Sequence, residues 1–313
     1  EHRIEDLAYL DLGRGSANTA DDDDSDPGPA GKSPTPPDSL DNKERQRLEI
    51  QKALDDQKSQ QDRNQLGQFA TPTALVEEII TTATQFIPQD EKIDFFEPAL
   101  GTGAFFSALR RNLPDERIGR CLGVEVDSHY AAPARELWRD TKLEVVVDDF
   151  THLSPPSSEG DRFNFIATNP PYVRHHHIPR EQKVLLQRMS EHVLGTKPSG
   201  LSGLYTYFVY LAHNWLREDA IGVWLIPGEF MYVNYGRELR DYLLDRVTLL
   251  RVHRFDPLDV QFEDALVSSC VVIYRKTTTE ADYKALFTYG GSLKRPRKSR
   301  QIAVNELKRL PKW

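Results

Sequence analysis

Cysteine is nearly absent from this 313-residue chain, which has two, and methionine is equally scarce. Cys121 and Cys270 both sit inside apolar runs, CLGVEV and SSCVVIY. That placement argues against a disulfide scaffold and reads as two core thiols in a reducing compartment. Also missing is any run approaching the ~18 apolar residues a membrane-spanning helix requires, so no membrane partner is expected. The chain opens on Glu1 and shows no basic stretch leading into an apolar one. A cytoplasmic fragment of a longer protein is the expectation. Excess positive charge is lacking as well, the formal net charge being -8. That total hides an uneven distribution. Asp21 to Asp24 with Asp26 form an acidic run, whereas Lys294, Arg295, Arg297, Lys298 and Arg300 cluster at the other end, so whole-chain charge does not exclude a nucleic-acid partner.

Residues 1–42 read as a disordered acidic and Pro-rich segment, because Asp, Gly, Ser and Pro from 13 onward leave almost no apolar surface to bury. Residues 43–64 favour helix, with a thin apolar stripe of Leu48, Ile50, Ala53 and Leu54, and should lean lightly on the globular domain. From about 65 to 278, short apolar runs alternate with helical segments, the pattern of crossover units. Strands are predicted at 93–96, 121–126, 143–147, 163–168, 222–227, 249–255 and 267–275, with helices near 73–86, 103–112, 129–139, 203–217 and 236–245. This pattern implies an α/β, doubly wound sheet with its ligands at the carboxyl ends of the strands. Residues 279–313 read as a basic linker or the start of a truncated target-recognition region.

The first strand runs into FEPALGTGAFF. Gly101 and Gly103 allow a sharp turn and close approach to a ligand before the following helix. The third glycine of a dinucleotide fingerprint is lacking, since position 106 is Phe, and this disfavours a nicotinamide dehydrogenase. The acid before the turn, Glu97, followed by Pro98, suits a cationic ammonium group and would repel a phosphate. The second strand ends in GVEVD, where Glu125 is placed to accept from ribose hydroxyls. The third ends in VVVDDF, where Asp149 could accept from an adenine amino group and Phe150 cover the ring. Each of these taken alone is an ordinary loop acid or core aromatic. Together, three successive strand ends point to a positively charged nucleoside cofactor.

The fourth strand ends in Asn169-Pro170-Pro171-Tyr172. An exocyclic base amine is a poor nucleophile because its lone pair is delocalised into the ring. Two acceptors holding its N–H bonds would restore that density, and the Asn169 side-chain oxygen and Pro170 carbonyl are the candidates, pre-aimed by the prolines. Tyr172 supplies a ring to stack on the base. A base inside a duplex cannot reach such a pocket, so flipping is implied. Alone, NPPY is also a rigid turn. His175 to His177 come next, but three consecutive side chains cannot converge on one ion, and no metal is expected.

At these residues the chain resembles the N6-adenine DNA methyltransferases of restriction-modification systems, in the subgroup whose cofactor motifs precede the catalytic one. FEPALGTGAFF, GVEVD, DDF and NPPY occur in the family's order, with GQFATP upstream and GLYTYFVYLAHNWL, GVWLIPGEFMY and VQFEDALVSSCVVIYR downstream. The resemblance implies S-adenosylmethionine as cofactor, double-stranded DNA as partner, and the seven-stranded class I methyltransferase (Rossmann-like) sheet with its last strand antiparallel. It further implies that Thr71 and Pro72 hold the methionine part of the cofactor, and that Phe262 sandwiches the flipped adenine against Tyr172. A target-recognition domain, specificity subunit or nuclease outside this chain would complete the assembly. NPPY occurs as well in methyltransferases acting on protein glutamine and on guanine amines of ribosomal RNA. A catalytically silent DNA-binding module is the remaining alternative.

Overall fold

Uninterrupted apolar runs bounded by turn formers suit strands buried on both faces, and they occupy the centre of the sheet. The computed structural model describes residues 37–59, 67–256, 268–277 and 282–313. Among them nine strands form one sheet: β1 (Ile93–Glu97), β2 (Ile118–Glu125), β3 (Leu143–Val147), β4 (Phe163–Thr168), β5 (Leu216–Pro227), β6 (Thr248–Arg254), β7 (Ser269–Arg275), β8 (Lys284–Gly291) and β9 (Pro296–Ala303). Their order is β3-β2-β1-β4-β5-β7-β6-β8-β9. Strands β1 to β5 pair in parallel, and β7 inserts antiparallel between β5 and β6. The expected seven-stranded core with an antiparallel last strand is therefore present.

Side chains alternate across the pleat. Phe95 and Phe165 face one core, with α2 (Thr73–Thr84), α3 (Ala104–Asn112) and α4 (Ser128–Trp138). Phe96 and Ile166 face the other, with α5 (Arg180–Leu194), α6 (Leu204–Ala212), α7 (Arg237–Asp245) and α8 (Val304–Arg309). Because β1 has β2 on one side and β4 on the other, the chain reverses its winding between β1 and β4. The loops leaving those two strands diverge to opposite faces and open a crevice at the strands' carboxyl ends.

Three expectations need correction. The region beyond 278 is not a linker: β8 pairs in parallel with β6, and β9 returns antiparallel on β8. KALFTYGG places Ala285 in the core, Gly290 and Gly291 turn with positive φ, and Arg297, Lys298 and Arg300 lie on the exposed outer strand β9, where charge discourages edge pairing. The N-terminal helix α1 starts at Pro37 rather than 43 and ends at Asp55, so residues 37–42, assigned to the unfolded segment, are its first turns. Proline is tolerated there because first-turn N–H groups need no partner. Helix α5 is absent from the expected elements, since its buried stripe of Leu186, Gln187, Ser190 and Val193 is half polar, while Val184 and Leu185 are exposed. Its one local signal is Gly195, in the left-handed conformation that ends it.

Both cysteines are free and buried, as expected, and burial pushes the Cys121 thiol up to about 12. His253 on β6 is fully buried, its Nδ1 2.8 Å from Thr288 Oγ1 on β8. Burial, with the Arg251 guanidinium nearby, pushes its imidazole from 6.5 down to about 4. The unfolded chain therefore takes up this proton first as the pH falls. Stability contributed by neutral His253 is complete above 6.5 and is lost towards pH 4, up to about 3 kcal/mol in all. Thermal melts across that window should show wild type losing stability more steeply than His253→Gln; parallel curves would count against this.

Candidate active site

The crevice at the switch point is a cleft of about 250 Å³. Its walls come from the loops after β1, β2, β3 and β4, from α1, and from the GQFATP segment before α2. Of the predicted residues, Thr71, Glu97, Pro98, Gly101, Glu125, Asp149, Phe150 and Asn169 line it. Pro72, Gly103, Pro170 and Tyr172 do not line it, and Phe262 lies outside the described residues.

Glu97 ends β1 and is almost completely buried, with Oε2 lacking a hydrogen-bond partner among the described residues. Burial drives its carboxyl well above the usual range, against the opposing pull of the Phe106 N–H, the Arg47 guanidinium and the Phe105 N–H. Glu125 ends β2. Its Oε2 accepts from Gly101 N at 2.8 Å and its Oε1 from Asp127 N at 2.9 Å, so it ties the glycine loop to the start of α4. Burial raises its carboxyl too, offset in part by those two N–H groups. Each of its oxygens retains a lone pair for a ligand hydroxyl. Asp149 Oδ1 accepts from Thr151 N and Oγ1, both at 2.8 Å. Phe150 is fixed among Phe96, Phe208 and Trp215, at ring separations of 5.7, 5.0 and 5.7 Å. It is thus a core aromatic and cleft wall at once.

Asn169 directly succeeds β4. Its Nδ2 donates to Phe69 O at 3.3 Å and to Thr71 Oγ1 at 3.1 Å. The Phe69 carbonyl can only accept, so the amide's orientation is set. Oδ1 is left buried without a partner among the described residues. Tyr172 N donates to Gly67 O and Leu204 N to Val173 O, which clamps the NPPY loop between GQFATP and α6. A Cβ on Gly67 would lie 2.3 Å from Tyr172 N, which explains the glycine. The Tyr172 hydroxyl donates to Leu225 O at 3.0 Å, and its ring rests tilted against Phe69, 5.6 Å away.

The glycine loop holds a further distinction. Gly101 borders the cleft, whereas Gly103 is needed for packing: its φ is 85°, and a Cβ would sit 2.7 Å from Trp138 Nε1, which donates to Thr102 O at 2.9 Å. Gly103→Ala should therefore lower unfolding stability by on the order of 1–3 kcal/mol, read by denaturant titration. An unchanged midpoint would contradict the packing role.

Sequence reasoning missed α1 as part of the wall. Arg47, Gln51 and Asp55 line the cleft with Tyr130. Arg47 pairs with Glu44 through Nε at 2.8 Å and Nη2 at 2.7 Å, and Glu44 accepts from Ser107 Oγ at 2.5 Å and Thr73 Oγ1 at 2.6 Å. Gln51 accepts from Thr102 Oγ1 at 2.7 Å, and Asp55 from Tyr130 OH at 2.8 Å. The helix docks through buried polar pairs, where apolar patterning gives no signal.

A doubly wound sheet in the order 3-2-1-4-5-7-6, with an acid ending β1 and another ending β2, defines the class I methyltransferase fold. Accordingly, the structure aligns with a Listeria monocytogenes protein assigned to the class I S-adenosylmethionine-dependent methyltransferases, with a TM-score of 0.64 and 16% identity, over 82% of this chain and 76% of that one. Residues 123–260 match the Eco57I restriction-modification methylase family. Among curated proteins, the type II methyltransferase M.XamI of Xanthomonas campestris pv. amaranthicola is 26% identical over 226 residues, 71% of this chain and 41% of its own length. The type II methyltransferase M.AccI of Acinetobacter calcoaceticus is 24% identical over 212 residues, 67% of this chain and 37% of its own. The chain thus spans less than half the length of these two relatives. The resemblance to restriction-modification methyltransferases read from the motifs is borne out.

The fold and the match to restriction-modification methylases imply S-adenosylmethionine as the methyl donor. The cleft fits it: the unpartnered Glu97 oxygen suits an ammonium, Glu125 suits ribose hydroxyls, and Asp149 with Phe150 suits an adenine. No helix among the described residues is long and apolar enough to cross a membrane.

Proposed function

We propose that this chain is the catalytic part of a restriction-modification or phage-defence DNA methyltransferase that methylates N6 of a flipped-out adenine in double-stranded DNA. The observation that carries the reading is Asn169 Oδ1, a buried acceptor at the edge of a cofactor cleft with no partner among the described residues. Leaving such a group unpaired costs about 1–3 kcal/mol, a cost that makes sense where a substrate donor will satisfy it.

S-adenosylmethionine supplies an electrophilic methyl group when bound. Asn169 Oδ1 accepts one N6–H and the Pro170 carbonyl the other, drawing the amine out of ring conjugation so that its lone pair can attack. Glu97, Glu125 and Asp149 would hold the cofactor that supplies the methyl group, with its sulfur as the leaving group, and the surplus N6 proton would pass to solvent. Tyr172, held by its hydroxyl at the end of β5, offers a fixed ring for the base, with Phe262 as the second face of the sandwich. The prior placement of acceptors, with no reorganisation at the moment of reaction, is the source of rate enhancement. Thr71 contributes indirectly by orienting the Asn169 amide. A target-recognition domain, specificity subunit or nuclease would supply site choice.

The test is direct. Purified protein is titrated with S-adenosylmethionine and with NAD by calorimetry, then incubated with labelled cofactor and DNA, and the nucleosides are resolved by mass. Selective binding with N6-methyladenine in DNA is the expected result. Label appearing in ribosomal RNA or at a protein glutamine instead would replace the substrate class, and failure to bind the cofactor would leave a silent DNA-binding module.

A further inference from the structure

The cleft wall is strongly asymmetric in charge. Asp55, Glu97, Glu125, Asp148 and Asp149 line it, and Arg47 is the single cationic side chain among the described residues that do. Five carboxylates suit the ammonium, hydroxyls and amino group of the cofactor. Its α-carboxylate is the one part they would repel. We propose that Arg47, delivered by the N-terminal helix α1, is the anchor for that carboxylate; this rests on S-adenosylmethionine being the cofactor.

Arg47 is 2% exposed and borders the cleft together with Glu97, whose charge it influences. A guanidinium has five N–H donors. Nε and one Nη2 hydrogen go to Glu44, the other Nη2 hydrogen approaches Thr73 Oγ1 at 3.4 Å, and one Nη1 hydrogen goes to Thr102 Oγ1 at 3.1 Å. Among the described residues nothing takes the second Nη1 hydrogen, which remains for a ligand. Thr102 lies in the glycine loop between Gly101 and Gly103, so that hydrogen is delivered where the loop approaches the cofactor. Glu44 in turn stays ionised: against the penalty of burial, Arg47 and the hydroxyls of Ser107 and Thr73 hold its carboxyl below the usual range. The Arg47 fork is therefore locked on Glu44, and its remaining Nη1 hydrogen is pre-aimed rather than recruited from solvent, a single charge-assisted donor for one oxygen of a carboxylate. Glu97 and Arg47 would then bind the two ends of one zwitterion. Helix α1 becomes part of the cofactor site as well as an outer layer of the fold.

The experiment compares S-adenosylmethionine with decarboxylated S-adenosylmethionine, which keeps the ammonium, sulfonium and nucleoside and lacks only the carboxylate. Dissociation constants are measured by calorimetry for wild type and Arg47→Gln, with Arg47→Lys as a second variant and thermal melting as a check on folding. Wild type should prefer the carboxylated ligand by roughly tenfold or more. Arg47→Gln should lose that preference by weakening S-adenosylmethionine alone, and Arg47→Lys should retain part of it. Equal weakening of both ligands, in whichever variant folds, would make Arg47 a purely structural residue and overturn the proposal, as would an unchanged preference. Wild type binding neither ligand would overturn the cofactor assignment itself, an outcome distinct from the other two.

Discussion

Asn169→Ala is expected to lower single-turnover methylation of DNA by a hundredfold or more, while S-adenosylmethionine affinity stays within about twofold. The reason lies in how the amide is held. Nδ2 is committed to Phe69 O and Thr71 Oγ1, so Oδ1 cannot turn away, and no group among the described residues satisfies it. Folding therefore gains little from this side chain, and alanine should leave the melting temperature nearly unchanged or slightly raised. Asn169→Asp keeps an acceptor but places a carboxylate against the Phe69 carbonyl, and should fall between wild type and alanine in rate. Thr71→Val removes one tether and should cost only severalfold. Parallel calorimetry and rapid-quench kinetics separate these effects. If Asn169→Ala lost cofactor binding as steeply as turnover, Asn169 would be a cofactor ligand and the assignment of the amine acceptor would fail.

The strands around the cleft were legible because their chemistry is local. β1, β3 and β4 are short apolar runs ending abruptly at polar residues, and in a doubly wound sheet those ends must border the crevice. Glu97, Glu125, Asp149 and Asn169 consequently lie where strand periodicity puts them, and all four line one cleft. Direction within a loop is a different matter. Asn169 and Pro171 face the cofactor cleft while Pro170 and Tyr172 do not; a dipeptide step decides this, and only the clamp by Gly67 and Leu204 fixes it. Gly103 is obligatory for the loop, as its position in the motif suggests, but it is Trp138, 35 residues further along the chain, that demands it.

Helix α1 shows a second limit. Its amphipathic signal is thin, and by patterning it should only lean on the domain. Instead, Arg47 and Glu44 are buried as a pair, with Ser107, Thr73 and Thr102 hydrogen-bonded to them. Buried polar networks of this kind depend on partners from three separate segments, so no window of sequence contains the information. The hairpin β8–β9 illustrates the converse. Its basic residues suggest a linker because charge dominates its composition, yet Ala285 and Phe287 on one face of β8 pack into the core as the strand pairs with β6.

Cofactor affinity should rise with pH, and Glu97→Gln should abolish that rise while weakening binding by roughly ten- to a hundredfold. In the free protein, burial holds the Glu97 carboxyl well above its ordinary value of 4.5. A cationic ammonium at the unpartnered Oε2 would favour the ionised form and pull the group back down. Binding therefore expels a proton whenever the pH lies below the raised free-state value. Over that range affinity should climb with pH, approaching tenfold per unit, and level off above it. A carboxylate already ionised in the free cleft would show no dependence there. Calorimetry in two buffers of different ionisation enthalpy counts the proton directly, independently of turnover. Glu125 is also raised by burial, but it meets neutral hydroxyls rather than a cation, so Glu125→Gln should keep the slope. A slope that survived in Glu97→Gln and vanished in Glu125→Gln would move the linked proton, and the ammonium with it, from β1 to β2.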